Sequence, residues 1–203
     1  MTEPKSKSTP RLVLALICTG IGVGVGYGLA LLAEHHRLDH NKALVLMSHR
    51  LWSMGDEAAM TKEARQILAP DFVVHDWTGD TTGLDPFITG IKENRAMFPD
   101  WVEKVDVLIA EGDLVAARFT STGTQARDIP AVPHLQPTVP NKGRFLRMPE
   151  MEVFRIANGK LVEQWDLNDG WSANAQLGLF DPDRWRESVC GTLQKDVLST
   201  PRP

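Results

Sequence analysis

The segment GKLVEQWDLNDGW, residues 159–171, sets acidic and amide side chains beside two tryptophans. In an extended strand successive side chains point to opposite faces, so Val162, Gln164 and Asp166 are expected on one face and Leu161, Glu163 and Trp165 on the other. A carboxylate on an apolar wall is pushed toward its neutral form by desolvation, which lets it exchange a proton nearer neutral pH. Abstracting a proton next to a carbonyl needs such a base near the carbon and a donor for the enolate oxygen. With that face turned inward, Asp166 supplies the acid–base group and Gln164 the neutral donor. The competing reading makes Asp166 structural: it caps the following turn, or pairs with Arg147 or Arg155.

Other side chains join or compete for this site. His75, in VVHDW, is read either as a group that orients substrate or shuttles a proton with Asp166, or as a buried histidine satisfied by a backbone carbonyl. Trp77 belongs to a pocket rim or to the core. Asn168 falls in the pocket by alternation, although the turn after it disturbs the parity, and Asp169 is placed to cap the next helix. Phe119, Met148, Met151 and Phe154 are strand apolars available for a pocket wall, and His134 lies on a proline-rich stretch that can cover it. His35, His36 and His40 near Asp39 lack an accompanying glutamate-based motif and read as a solvated face, so no metal is expected. Cys18 and Cys190 provide neither a disulfide framework nor a cysteine zinc site.

These residues need a scaffold, and the pattern describes one. Apolar positions Ala43, Leu44, Met47, Leu51 and Met54 have helical spacing, ended by Gly55. Further helices are expected over 57–68 and 84–97, the latter with Pro86 in its first turn, where a missing N–H is harmless. Strands are expected over 71–77, 102–110, 114–124, 145–156 and 161–167, the last two joined by an Asn158-Gly159 hairpin turn. Residues 78–83 read as turn, and 127–141, with four prolines, as a loop excluded from a sheet interior. Short helices follow over 171–179 and about 180–197. Helices followed by antiparallel strands indicate an α+β domain. The charge of −4 is interspersed without a basic stripe, which argues against nucleic acid as a partner.

The N-terminus differs in kind. Residues 12–33, LVLALICTGIGVGVGYGLALLA, contain no charge and exceed the roughly 20 residues that span a bilayer core. They are expected to form an uncleaved transmembrane signal anchor. Gly28-Leu29-Ala30 leaves signal cleavage open, and a buried helix is the third reading. Lys5, Lys7 and Arg11 place the tail 1–11 in the cytoplasm and the rest of the chain on the non-cytoplasmic side. Gly20, Gly24 and Gly28 share a helix face that suits association into a homodimer.

Residues 40–180 resemble the SnoaL-like polyketide cyclase family, within the nuclear-transport-factor-two-like superfold. The resemblance rests on LAPDFVVHDW, MFPDWVEKVDVLIAEGDLVAARFTSTGTQ and FLRMPEMEVFRIANGKLVEQWDLNDGWSANAQLG in that order. It implies a curved antiparallel sheet wrapped around helices, a cone-shaped α+β barrel over 38–180, with 181–203 as a C-terminal helix and tail. It also implies a cofactor-free ester cyclase chemistry in which a last-strand aspartate, here Asp166, acts as acid and base in an aldol closure. Some members have a histidine where this chain has Gln164. The expected function is a membrane-anchored domain that binds a small hydrophobic carbonyl compound and catalyses aldol-type cyclisation or isomerisation. Asp166 and His75 are the catalytic candidates, and Gln164, Asn168, Trp77, Phe119 and Met151 contact the substrate. The alternative is a non-catalytic ligand-binding or protein-docking module on the same fold.

Overall fold

The computed structural model describes residues 10–181, with side chains from Gly26 onward. The chain divides between His40 and Asn41 into two compact units. Helix α1 is Pro10–Ser53, and in the first unit it carries the exposed Tyr27, Leu29, Leu31 and Leu32, with an Arg37–Glu34 ion pair. Among the described residues no helix is long and apolar enough to cross a membrane. Side chains 12–25 of the expected anchor, the tail 1–9 and the expected helix over 182–197 lie outside the described residues.

The second unit follows the order α2 (Glu57–Ile67), β1 (Leu68–Asp76), β2 (Gly79–Thr82), α3 (Leu84–Met97), β3 (Val102–Glu111), β4 (Leu114–Thr124), β5 (Phe145–Ala157), β6 (Lys160–Asn168) and α4 (Gly170–Gln176). Leu44, Val45 and Leu51 of α1 pack with Met60, Ala64 and Ile67 of α2 and Phe87, Ile88 and Ile91 of α3. These cover the sheet residues Phe72, Val74, Val115, Ala117, Phe154, Ile156 and Leu161. The helical period read from the sequence therefore holds, although Ala43 is exposed and the buried stripe also includes Asn41, Ser48 and His49.

The six-stranded sheet has the order β2-β1-β6-β5-β4-β3 and is α+β as expected, but it is neither closed nor wholly antiparallel. β1 runs parallel to β6, while the other neighbours are antiparallel. The stretch read as a simple turn after β1 pairs back as β2, leaving β2 and β3 as open edges. Asn158 (φ 52°) and Gly159 (φ 72°) form the left-handed turn that joins β5 and β6.

A bulge corrects the expected parity of β6. Ile156 pairs with Leu161 and Arg155 with Glu163, so Val162 is the extra residue. Leu161 is thereby turned inward and is fully buried, on the same side as Gln164. Without that extra residue Leu161 and Gln164 would fall on opposite faces.

Candidate functional site

Strand register assembles the inner face of the sheet. Phe154 faces Gln164, Glu152 faces Asp166 and Glu150 faces Asn168 across the β5–β6 ladder, and Val74 of β1 aligns with Gln164. Between this face and the helices lies a cavity of about 770 Å³, reached by Trp52, Phe87, Asn94 and Trp101 as well as by the strand residues. A second hollow of about 500 Å³ shares Asn94, Trp101, Met148, Asp166 and Asn168 with the first, so the two meet at Asp166. Its far wall includes Ile129, Val132 and Gln136 of the proline-rich loop. Gln125 anchors that loop by donating to the carbonyls of Val139 and Pro140, both at 3.3 Å, and accepting from Lys142 N–H at 3.1 Å.

Close packing fixes the aromatic wall. A Cβ at Gly123 would lie 2.9 Å from the Trp101 ring and 3.0 Å from Phe98 Cβ, so a side chain there would displace Trp101. Trp101 in turn donates its indole N–H to Glu103 at 3.1 Å.

Asp166 sits at the wall of both hollows. Asn168 donates to its Oδ2 at 3.1 Å, while Oδ1 is buried without a hydrogen-bond partner. It makes neither the turn cap nor the arginine pair of the structural reading: Asp169 caps α4 by accepting from Ser172 N–H, and Arg155 engages Glu163. Burial is the main reason its acid is pushed up to about 6, helped by the charges of Asp76 and Glu103.

The cavity is more acidic than an apolar hollow. Glu150 is only 8% exposed, its Oε1 has no hydrogen-bond partner, and burial pushes it up to about 8. Glu152 is also driven well above the usual carboxylate range by burial and then by Glu103, Asp166 and Glu150. Gln164 donates to Glu152 Oε1 at 2.8 Å. Beneath them His49 of α1 places Nδ1 2.8 Å from Glu103 Oε2, and its Nε2 lies 3.6 Å from Glu152 Oε2 without a hydrogen bond.

Sequence reasoning missed Glu103, Glu150, Glu152, His49 and Asn94. A signal existed for two of these: alternation from Phe154 carries Glu152 and Glu150 to the same inward face. Another was present for His49, which lies four residues after the buried Val45 on the helix stripe.

Among the expected site residues, the structure brings Asp166, Gln164 and Asn168 together at the cavity, and Trp77, half-exposed, lines the second hollow. His75 is placed elsewhere. It is adjacent to the inward Val74 and Asp76, so its ring projects from the other face, bonded to Asp80 at 2.8 Å and Glu163 at 2.9 Å and stacked on Trp165. It does not share a pocket with Asp166. Met151, 56% exposed, is likewise outward, because it lies between the inward Glu150 and Glu152. Phe119 is fully buried, with its ring 4.4 Å from that of His49, and does not reach the lining.

A family profile described as SnoaL-like polyketide cyclase matches residues 42–177. Among solved structures, the chain is similar to IdmH, a candidate polyketide cyclase of Streptomyces antibioticus, at 26% identity and a TM-score of 0.56, covering 68% of this chain and 98% of that one. TsrD of Streptomyces laurentii shares the fold at 22% identity and a TM-score of 0.59, over 70% and 97% of the two chains. AclR, a candidate hydroxylase of Streptomyces galilaeus, shares it at 24% identity and 0.56, over 70% and 98%. No curated protein matches the chain.

Proposed function

This chain belongs to the SnoaL-like polyketide cyclase family, and from that premise we propose that its cavity binds a small carbonyl compound and that Asp166 exchanges a proton at the carbon beside the carbonyl. Fold membership alone does not choose a reaction, since one fold carries many chemistries. The observation that supports this one is the Asp166 carboxyl: largely buried, at the junction of two hollows, with one oxygen steadied by Asn168 and the other unpartnered. An acid pushed up to about 6 is divided between its two protonation states near neutral pH, which suits a group that must take a proton and return it.

The neutral donor in this reading shifts from Gln164 to Asn94. Gln164 already gives its amide to Glu152, whereas Asn94 Nδ2 is buried, lines both hollows and has no hydrogen-bond partner. Asn94 would donate to the oxygen on which enolate charge develops. Aldol-type ring closure and isomerisation both begin with this step, and neither requires a cofactor for it. The uncharged run 12–33 supports tethering this domain to a membrane on its non-cytoplasmic side, with the glycine face of that run favouring a homodimer.

Deuterium exchange at the α-carbon of 1-tetralone in D2O, followed by NMR, tests the acid–base role. The protein should accelerate exchange, and Asp166→Asn should remove about a hundredfold or more of that acceleration, the lower range for a general acid–base group. Exchange no faster than in buffer, or equal in the Asp166→Asn protein, would leave the non-catalytic binding module.

A further inference from the structure

The cavity gathers carboxyl groups from four of the five strands that line it, β2 contributing only Thr81. Asp76 comes from β1, Glu103 from β3, Glu150 and Glu152 from β5, and Asp166 from β6, while the exposed Asp85 and Glu93 of α3 add to them. Among the described lining residues there is no lysine, arginine or histidine. His49 lies behind the lining, where its two ring nitrogens face Glu103 and Glu152.

Acid clusters at protein surfaces are commonly solvated, but the centre of this one is buried. Glu150 is 8% exposed and Asp166 largely buried; the Ser121 hydroxyl lies beside Glu150, yet among the described residues Glu150 Oε1 and Asp166 Oδ1 each lack a donor in hydrogen-bond geometry. Buried acceptors left without donors cost free energy, about 1–3 kcal/mol for a neutral group and more for a charged one. A ligand bearing several N–H donors and a positive charge relieves both the missing hydrogen bonds and the mutual repulsion. Glu150 and Asp166 are diagonal neighbours across the β5–β6 ladder, with backbone positions roughly 7–8 Å apart, which puts both carboxyl side chains within reach of one ammonium group. Trp52, Phe87 and Trp101 supply aromatic surface beside them, which attracts cations as well as apolar frameworks.

We propose that the ligand of this cavity carries a protonated amine, seated between Glu150 and Asp166 with its carbon framework against Trp52, Phe87 and Trp101. The proposal rests on the cavity being the ligand site and narrows the carbonyl compound to an amine-bearing one. Binding a cation favours the ionised carboxylates, so it drives protons off the site. Affinity should therefore increase from pH 6 to pH 8, across the range set by Asp166 and Glu150; the other ionisable side chains around them are Asp76, Glu103, Glu152 and His49, with Asp85 and Glu93 farther along the cavity.

Three probes of similar size decide it by calorimetry on the full chain in a nonionic detergent: 2-phenylethylammonium, 2-phenylethanol and 3-phenylpropanoate. Near pH 8 the aliphatic amine is still protonated. The ammonium should bind at least about tenfold tighter than the alcohol, as expected for hydrogen bonds to charged groups, and the carboxylate should bind weakest. Glu150→Gln should lower the ammonium-to-alcohol ratio severalfold while leaving alcohol affinity unchanged. Equal or tighter binding of the alcohol or the carboxylate overturns the proposal, as does failure of all three to bind. If Glu150→Gln also loses the alcohol, the cavity has been disturbed and the ratio in the unsubstituted protein decides alone. Ammonium preference with ketone exchange indifferent to Asp166→Asn would remove the acid–base reading and keep this one. The opposite pair of results would do the reverse.

Discussion

His49 and His75 each hold both ring nitrogens near carboxylates, one inside the fold and one on its outer face. His49, with 4% of its side chain exposed, meets Glu103 at 2.8 Å and Glu152 at 3.6 Å, between the rings of Phe119 and Phe154. His75, with 29% exposed, meets Asp80 at 2.8 Å and Glu163 at 2.9 Å, and its ring stacks on Trp165. Nearly the same constellation serves two purposes because the surroundings differ. On the wet face Arg155 also engages Glu163, and this arginine and His75 hold its carboxyl below the usual range. On the dry face burial drives Glu152, the acid 3.6 Å from His49 Nε2, well above that range. Geometry close to a histidine is thus a weak guide to function; the sign of the neighbouring acid's shift is the better one.

Replacing each histidine by leucine is the strongest way to break this contrast. His49→Leu leaves Glu103 with the Trp101 indole as its remaining side-chain donor and an acceptor oxygen buried without its partner, which costs about 1–3 kcal/mol. His75→Leu leaves Asp80 and Glu163 in contact with water and should cost a small fraction of that. Urea denaturation of both variants measures the difference. Equal losses would mean that the two faces are not distinguished by burial.

The hairpin that carries the site is legible in the residues themselves, but its faces are legible only in part. Asn-Gly at 158–159 demands a left-handed turn, and Asp169 is the helix cap its position suggests. Pro86 lies in the first turn of α3 for the same kind of local reason. Parity fails where a non-local event intervenes, since the extra residue at Val162 is visible only once β5 and β6 are paired. His75 is attractive as a group that orients substrate or shuttles a proton with Asp166, yet alternation with Val74 sends it outward. Glu150 and Glu152 escape attention because carboxylates inside a sheet contradict ordinary burial preferences. Such violations of local rules tend to concentrate at functional sites, so treating Phe154 as an inward marker and following its parity finds both.

Removing one inner acid sharpens the comparison in a pH-dependent way. Glu150 binds its proton more tightly in the folded chain than in the unfolded one, so its contribution favours folding at low pH. That contribution is lost as pH rises from the ordinary carboxylate value of 4.5 through about 8. Glu150→Gln cannot ionise, so its stability should gain on the unsubstituted protein over that window and level off above it. At about 1.4 kcal/mol per pH unit of raised pKa, the gain reaches a few kcal/mol. Denaturation at intervals from pH 4.5 to pH 9 reads this directly. A flat difference across the series would show that Glu150 is not held protonated by its surroundings.

The smallest expected effect is on the outer face, where it is best seen by spectroscopy rather than by stability. Asp80 first and Glu163 second raise His75 above the ordinary histidine value by bonding to its imidazolium. The associated stabilisation is complete below that ordinary value and is lost as pH rises through the raised one. Asp80→Asn should lower the His75 titration midpoint seen by imidazole NMR, and Glu163→Gln should lower it less, because Glu163 is shared with Arg155. Added salt should shrink both shifts, since these charges are exposed to water. A midpoint unmoved by Asp80→Asn would mean that His75 is not held by the acids beside it. The outer face would then owe its order to the Trp165 stack, and the two histidines would differ in kind rather than in burial.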